Sequence, residues 1–243
     1  MMARLSGTAA VAAVLLASGT AGAQESIAGR ITVAAQVGTE SQMAGDFLKG
    51  AEGTLIGKPI TIDTKRYRDI FGPDLRLQGA LGYGAGEKVE IFARGTYYKA
   101  EATALEVGSS NGNPVFAFFG PYEEWGVELG LRYYLSTRGR LKSYIAPVGG
   151  ARSLERILVD FSVPDAGSAV LNVPFHQSGT VAVFGLDLGF TFDLGAHAFA
   201  GVDTGLRYQS KPKPAEGLET LASINASDPR WSAPVVLSLG VKF

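Results

Sequence analysis

Eight charged side chains recur where a β-strand would place them on one face, most of them between apolar neighbours: Arg76, Glu90, Arg94, Glu128, Arg132, Asp187, Asp203 and Arg207. Four are basic and four acidic. Opposite charges gathered on one side of a sheet suit either of two chemistries. They form a paired, hydrogen-bonded interior that satisfies itself, or a narrow ion path gated by exchangeable salt bridges. A second grouping, His176 with Ser178 and Asp160, has the residue types of a base, a nucleophile and an acid. A hydrolase or acyltransferase would need these groups side by side. Three such residues in one polar stretch arise often by chance, and His176 reads as a solvated loop histidine. The other histidine, His197, falls in a short turn. No metal-ligand spacing and no phosphate-cradling glycine loop stands out, so no cofactor and no metal are expected.

The elements that would carry the eight charges alternate with period 2. In 124–135, Trp125, Val127, Leu129, Leu131, Tyr133 and Leu135 share one face, opposite Glu124, Glu128 and Arg132. The same pattern runs through 30–38, 74–84, 88–98, 180–192, 198–208 and 231–243. Segment 141–150 is ambiguous, because Pro147 removes a ladder donor. Each segment is close to the ~9–11 residues of a tilted membrane-crossing strand.

The connections alternate in length. Residues 85–87, 136–140 and 193–197 are hairpin-sized and rich in turn formers. The others, roughly 39–73, 99–123, 151–179 and 209–230, are long. Short turns at one end and long loops at the other fit a membrane barrel better than a soluble sandwich. Aromatics on the apolar face mark both ends. Tyr83, Tyr133, Phe190 and Phe192 lie at the short-turn end, and Tyr97, Trp125, Tyr208 and Trp231 at the long-loop end. Trp125 to Tyr133 is ~26 Å along a strand, or ~20 Å of height with tilt, close to the ~25 Å apolar band between aromatic girdles.

Composition agrees. Glycine occurs 32 times, charged residues are 19% of the chain, cysteine is absent and the formal net charge is −1. This excludes a disulfide scaffold and leaves nothing to attract nucleic acid. Residues 1–23 read as a cleaved secretory signal, with Ala21-Gly22-Ala23 as the cleavage site and Gln24 as the mature start. Residues 24–243 then form one all-β domain, a transmembrane antiparallel up-and-down barrel with four long external loops. Eight strands fit best. Ten remain open, because 155–175 and 57–69 themselves alternate. The apolar loop stretch "NPVFAFFGPY" (113–122) has three uses open to it: to dip toward headgroups, to cap the lumen or to offer an adhesive edge.

With its leader, loop asymmetry and terminal "LSLGVKF", the chain resembles the small eight-stranded outer-membrane barrels of Gram-negative bacteria, of the OmpA transmembrane domain, OmpX and OmpW class. In that family the last strand is the recognition signal for the outer-membrane assembly machinery. Leu237, Leu239, Val241 and Phe243 fit it, although the aromatic common a few residues earlier is missing. The resemblance implies a monomer in outer-membrane lipid. Unlike OmpA, the chain ends with the barrel, so no peptidoglycan-binding domain is expected. The role implied is structural or interaction-based, exercised through the loops around a side-chain-filled lumen. A small pore for ions or hydrophobic solutes is the alternative, and a loop-based lipid-modifying enzyme a more distant one.

Overall fold

The computed structural model describes residues 26–55, 58–216, 221 and 223–243. The expected leader, 1–23, and Gln24 lie outside the described residues. The strands run in chain order as β1 (Ile31–Ala44), β2 (Asp46–Leu48), β3 (Ala51–Leu55), β4 (Lys58–Ile62), β5 (Lys65–Arg66), β6 (Phe71–Gly84), β7 (Val89–Ala102) and β8 (Leu105–Ser110). There follow β9 (Asn113–Phe119), β10 (Tyr122–Tyr134), β11 (Leu141–Leu154), β12 (Ile157–Val163), β13 (Ser168–His176), β14 (Gly179–Asp193), β15 (Ala198–Gln209) and β16 (Arg230–Lys242). One short helix, α1 (Tyr67–Ile70), leads into β6.

Eight of these strands close into an antiparallel barrel in the order β1-β16-β15-β14-β11-β10-β7-β6. The expectation of eight strands is met, and the ten-strand alternative falls. The alternating stretches at 57–69 and 155–175 form β4 and β5 and the hairpin β12–β13, none of which enters the barrel. Closure is made by β1 and β16, whose ladder runs from Thr32↔Lys242 to Ala44↔Trp231. At its lower end Ile31 N donates to Phe243 O (3.2 Å) and Phe243 N to Ile31 O (2.9 Å). The closed ladder leaves no free strand edge, which a bilayer requires.

The outer wall is a continuous apolar belt. Leu81, Ile91, Val127, Leu129, Leu186, Leu188, Leu237 and Leu239 are all exposed. Exposure of so many large apolar side chains has no counterpart on a soluble monomer, and hydrocarbon is the solvent that suits it. Pro147 also points outward. The β10–β11 ladder lapses between Gly130↔Val148 and Tyr133↔Ile145, on either side of it, and resumes in the same register.

Several strands are longer than the apolar alternation indicates. β1 runs on to Ala44, β11 to Leu154, and β6 begins at Phe71. Beyond the belt the outward positions turn polar, as at Thr39, Ser41 and Ser153. The pleat continues there, but the hydrophobic pattern that reveals it does not.

The long loops build a second body on the barrel's open end. Loops one to three supply the sheet β13-β12-β9-β8-β4-β3. It covers a core in which Phe47, fully buried, stacks on Phe175 (5.0 Å) and meets Phe71, Phe119 and Tyr67 edge-on at 4.9, 5.3 and 5.1 Å. Loop four adds Leu221 and Ile224, and Asn225 Nδ2 ties it down by donating to Phe175 O (2.9 Å) and Ala215 O (2.8 Å). Of the three uses open to 113–122, capping is the one observed. Val115, Ala117, Phe119 and Tyr122 are buried in this core, and Phe118 faces outward.

Phe47→Ala should cost the cap ~3–5 kcal/mol, the usual penalty for emptying an aromatic site. Hydrogen exchange should rise throughout β8, β9, β12 and β13, while the barrel still shows a folded band on an unboiled gel. Loss of that band would mean that cap and barrel fold as one unit.

Candidate functional site

Strand alternation sends a second set of residues inward, and these fill the bore. Glu128 of β10 is fully buried at the centre. Its Oε2 accepts from Arg94 Nε (2.9 Å) and Nη2 (2.5 Å), and its Oε1 from Arg152 Nη2 (2.6 Å) and Arg76 Nη2 (3.4 Å). Arg207 Nε stands 3.6 Å from Oε2. Four strands, β6, β7, β11 and β15, thus send one guanidinium each to one carboxylate. Asp187 joins Arg94 (2.9 Å) to Arg207 (2.5 Å). Above, Glu124 pairs with Arg152 and with Arg230 Nη2 (2.9 Å), and Glu40 pairs with Arg76 and lies 3.4 Å from Arg230. Arg230 sits between the rings of Tyr98 and Tyr122 at 5.0 and 4.7 Å, directly under the cap core.

A lower layer is separate. Glu90 accepts from Thr32 Oγ1 (2.5 Å), Tyr134 OH (2.7 Å) and Arg132 Nη1 (2.9 Å). Asp203 accepts from Gln36 Nε2 (3.0 Å) and from Tyr144 OH. Arg132 lies over the rings of Phe92 and Tyr144 at 4.7 and 4.5 Å. At the short-turn mouth, Lys142 and Lys242 share Asp193 Oδ2 at 2.9 and 2.8 Å.

The bore has space for these long side chains because small residues face them. A Cβ on Gly185 would stand 2.6 Å from Arg207 Nη1, and one on Gly126 2.7 Å from Arg152 Cγ. Among the described residues, a recess at the short-turn mouth and a cavity in the lower bore measure about 30 and about 10 Å³. A single water needs ~10–15 Å³, so each holds at most a water or two. An eight-stranded bore is just wide enough for side chains to fill, and here they fill it.

All eight charges expected on the inner face point inward. Arg76, Arg94, Glu128, Asp187 and Arg207 share the central network, and Glu90 with Arg132 belongs to the lower layer. Glu40, Arg152 and Arg230 are central members that the apolar pattern missed, because they lie in stretches read as loops. Their signal was the continuing inner-face alternation, as in Gln36, Gly38, Glu40. The girdle residues Tyr83, Tyr97, Trp125, Tyr133, Phe190, Phe192, Tyr208 and Trp231 all face outward. Tyr97 stands opposite Trp125, and the Tyr208 and Trp231 rings lie 5.2 Å apart. Leu237, Leu239, Val241 and Phe243 form an exposed outward row.

His176 departs from expectation. It is not solvated but fully buried, against Phe175 (4.8 Å) and Phe47 (5.1 Å). Its Nε2 lies 2.9 Å from the Oγ of Ser227, not of Ser178. Ser227 in turn donates to Phe47 O. Asp160 is occupied elsewhere, accepting from Asn172 N at 2.6 Å. The Ser/His/Asp grouping, read from the sequence as a chance occurrence, is not assembled. The real His176–Ser227 pair is sealed from solvent and works as a latch between the first, third and fourth long loops. Burial pushes the His176 pKa down to about 4. Asp74, at the barrel rim beyond the upper girdle, moves the other way. Burial pushes it up to about 6, while it accepts from Glu40 N (3.0 Å) and Tyr98 OH (3.3 Å).

No protein-family model matches the chain, and no curated protein matches it. Among solved structures it is similar to the outer membrane protein OprG from Pseudomonas aeruginosa, with 14% identity, 90% of this chain and 98% of that one covered, and a TM-score of 0.48. It is also similar to Neisserial surface protein A, with 14% identity, 88% and 96% covered and a TM-score of 0.44. The attachment invasion locus protein of Yersinia pestis gives 8% identity, 89% and 99% covered and a TM-score of 0.40. These are likenesses of overall shape, and the functional reading rests on this chain's own residues.

Glu128→Ala should destabilise the barrel by ~3–5 kcal/mol, because it leaves several guanidiniums buried without their partner. Urea unfolding of the refolded protein in lipid measures it, and a change below ~1 kcal/mol would show that the network adds no net stability. The cap should also respond to pH. His176 is held neutral, so its contribution is complete above ~6.5 and falls away toward pH 4, by about 3 kcal/mol at most. Asp74 has the opposite sign, with a contribution present at low pH and lost as pH rises through about 6. Protection factors in β12 and β13, taken against the intrinsic exchange rate at each pH, should fall between pH ~6.5 and ~4, and His176→Phe should remove that fall.

Proposed function

We propose that this chain is an integral outer-membrane β-barrel of non-enzymatic character that acts through its external cap. The short turns face the periplasm and the cap faces outward. Its partners are outer-membrane lipid along the belt and the assembly machinery at the C-terminal strand, and it works as a monomer. The observation that carries this reading is the Glu128-centred ion-pair network, sealed above by a cap with its own aromatic core. A chain built to conduct would leave more than a water's width in its bore. The cap carries Phe118 on its outer face and Leu171 at its edge strand, both exposed, and these are the apolar contacts that an external partner would meet.

Planar-bilayer recording of the refolded protein tests the closed lumen, with the boiled-versus-unboiled gel shift as the control for barrel closure. We expect no steady current from closed barrels. Sustained ohmic conductance would replace this reading with a pore, and ion selectivity altered by Arg94→Ala would place the path through the network.

A further inference from the structure

The barrel wall is not uniform. On its outer side an apolar groove enclosing about 620 Å³ runs along β15, within the ~300–1,000 Å³ span of ligand pockets. Its floor is made of small side chains, Ala200, Val202 and Thr204. The register sets larger ones beside each of them: Phe192 and Leu239 flank Ala200, Phe190 and Leu237 flank Val202, and Leu188 and Val235 flank Thr204. From Phe192 to Leu188 the groove rises ~13 Å along the strand. It is open at the short-turn end, where Leu141, opposite Phe192, forms its lip.

That lip is basic. Arg140 directly precedes Leu141, and its carbonyl accepts from Asp193 N at 2.8 Å, which holds the turn against the groove's end. Arg138 lies in the same turn. Both are exposed, and neither forms an ion pair among the described residues. An apolar slot that reaches the short-turn rim, next to a turn carrying two exposed arginines without ion pairs, has the two halves of a phospholipid site. The slot takes hydrocarbon, and the arginines take a phosphate.

We propose that this groove binds one anionic phospholipid of the periplasmic leaflet, with an acyl chain lying along β15 and its phosphate at Arg138 and Arg140. The inference rests on the bilayer-spanning reading and not on the sealed lumen. Refolding into nanodiscs of mixed phosphatidylethanolamine and phosphatidylglycerol, followed by native mass spectrometry, tests it. Insertion is checked first by the gel shift, and a chain that fails to insert would overturn the spanning reading itself. Inserted wild-type protein should be released carrying one phosphatidylglycerol, favoured over phosphatidylethanolamine by about fivefold or more. Ala200→Phe fills the floor from the lipid side, leaves the ladder untouched, and should abolish retention. Joint replacement of Arg138→Glu and Arg140→Glu should remove the headgroup preference while a lipid is still held. Retention of no lipid by inserted wild type, or equal retention by Ala200→Phe, would overturn the site. A dimer that Ala200→Phe dissociates would overturn it too, by making a second copy the occupant.

Discussion

Closure of the sheet between β1 and β16 is the constraint on which the remainder depends. Once the eight strands meet, every side chain within the belt is committed to one of two surroundings, hydrocarbon or a bore barely wider than its own contents. The outer face can then be apolar without aggregating. The inner face must satisfy its charges without bulk water, and Glu128 with its ring of arginines is how it does so. A lone carboxylate there would be very costly, as would a lone guanidinium. Because six strands contribute to the Glu128–Asp187 cluster, the network also ties the register of one strand to that of the next. A slip of one residue would turn a whole strand's charges into the lipid.

The cap follows from the same geometry. A barrel rim exposes strand ends and the top of the ion-pair network to water. Loops drawn over the rim bury Tyr98, Tyr122 and Arg230 beneath an aromatic layer built around Phe47. The His176–Ser227 latch pins three loops to one another with a single buried polar pair, which costs little while the imidazole stays neutral. The cap is thus a small hydrophobic domain grafted on a polar plug, and each seals the other's exposed side.

Much of this was legible in the residue order, and the boundary of legibility is physical. The strand faces were readable wherever apolar and polar residues alternate, as from Trp125 to Tyr133, because the bilayer demands that alternation. Glu40, Arg152 and Arg230 were missed for the same reason in reverse. Above the belt the outward neighbours become Thr39, Ser41 and Ser153, and a strand with two polar faces looks like a loop. The cap was largely illegible, because its core is assembled from short pieces of four loops, Phe47, Phe119, Phe175 and Ile224 among them, with no local period. His176 was misjudged on that account. Its surroundings are created by Phe47, far away in sequence, and nothing beside it foretells burial. The groove along β15 required register, since small residues on one strand make a slot only when the strands beside them carry large ones at matching height.

An ion-pair plug closes the bore and leaves room for only isolated waters. The most direct measurement is side-chain NMR of arginine-labelled protein in nanodiscs, following exchange of guanidinium protons with water. The account predicts slow exchange and separate resonances for Arg76, Arg94, Arg152, Arg207 and Arg230. Fast, averaged exchange at these five, in a barrel shown to be closed, would mean that water runs through the lumen and would contradict it.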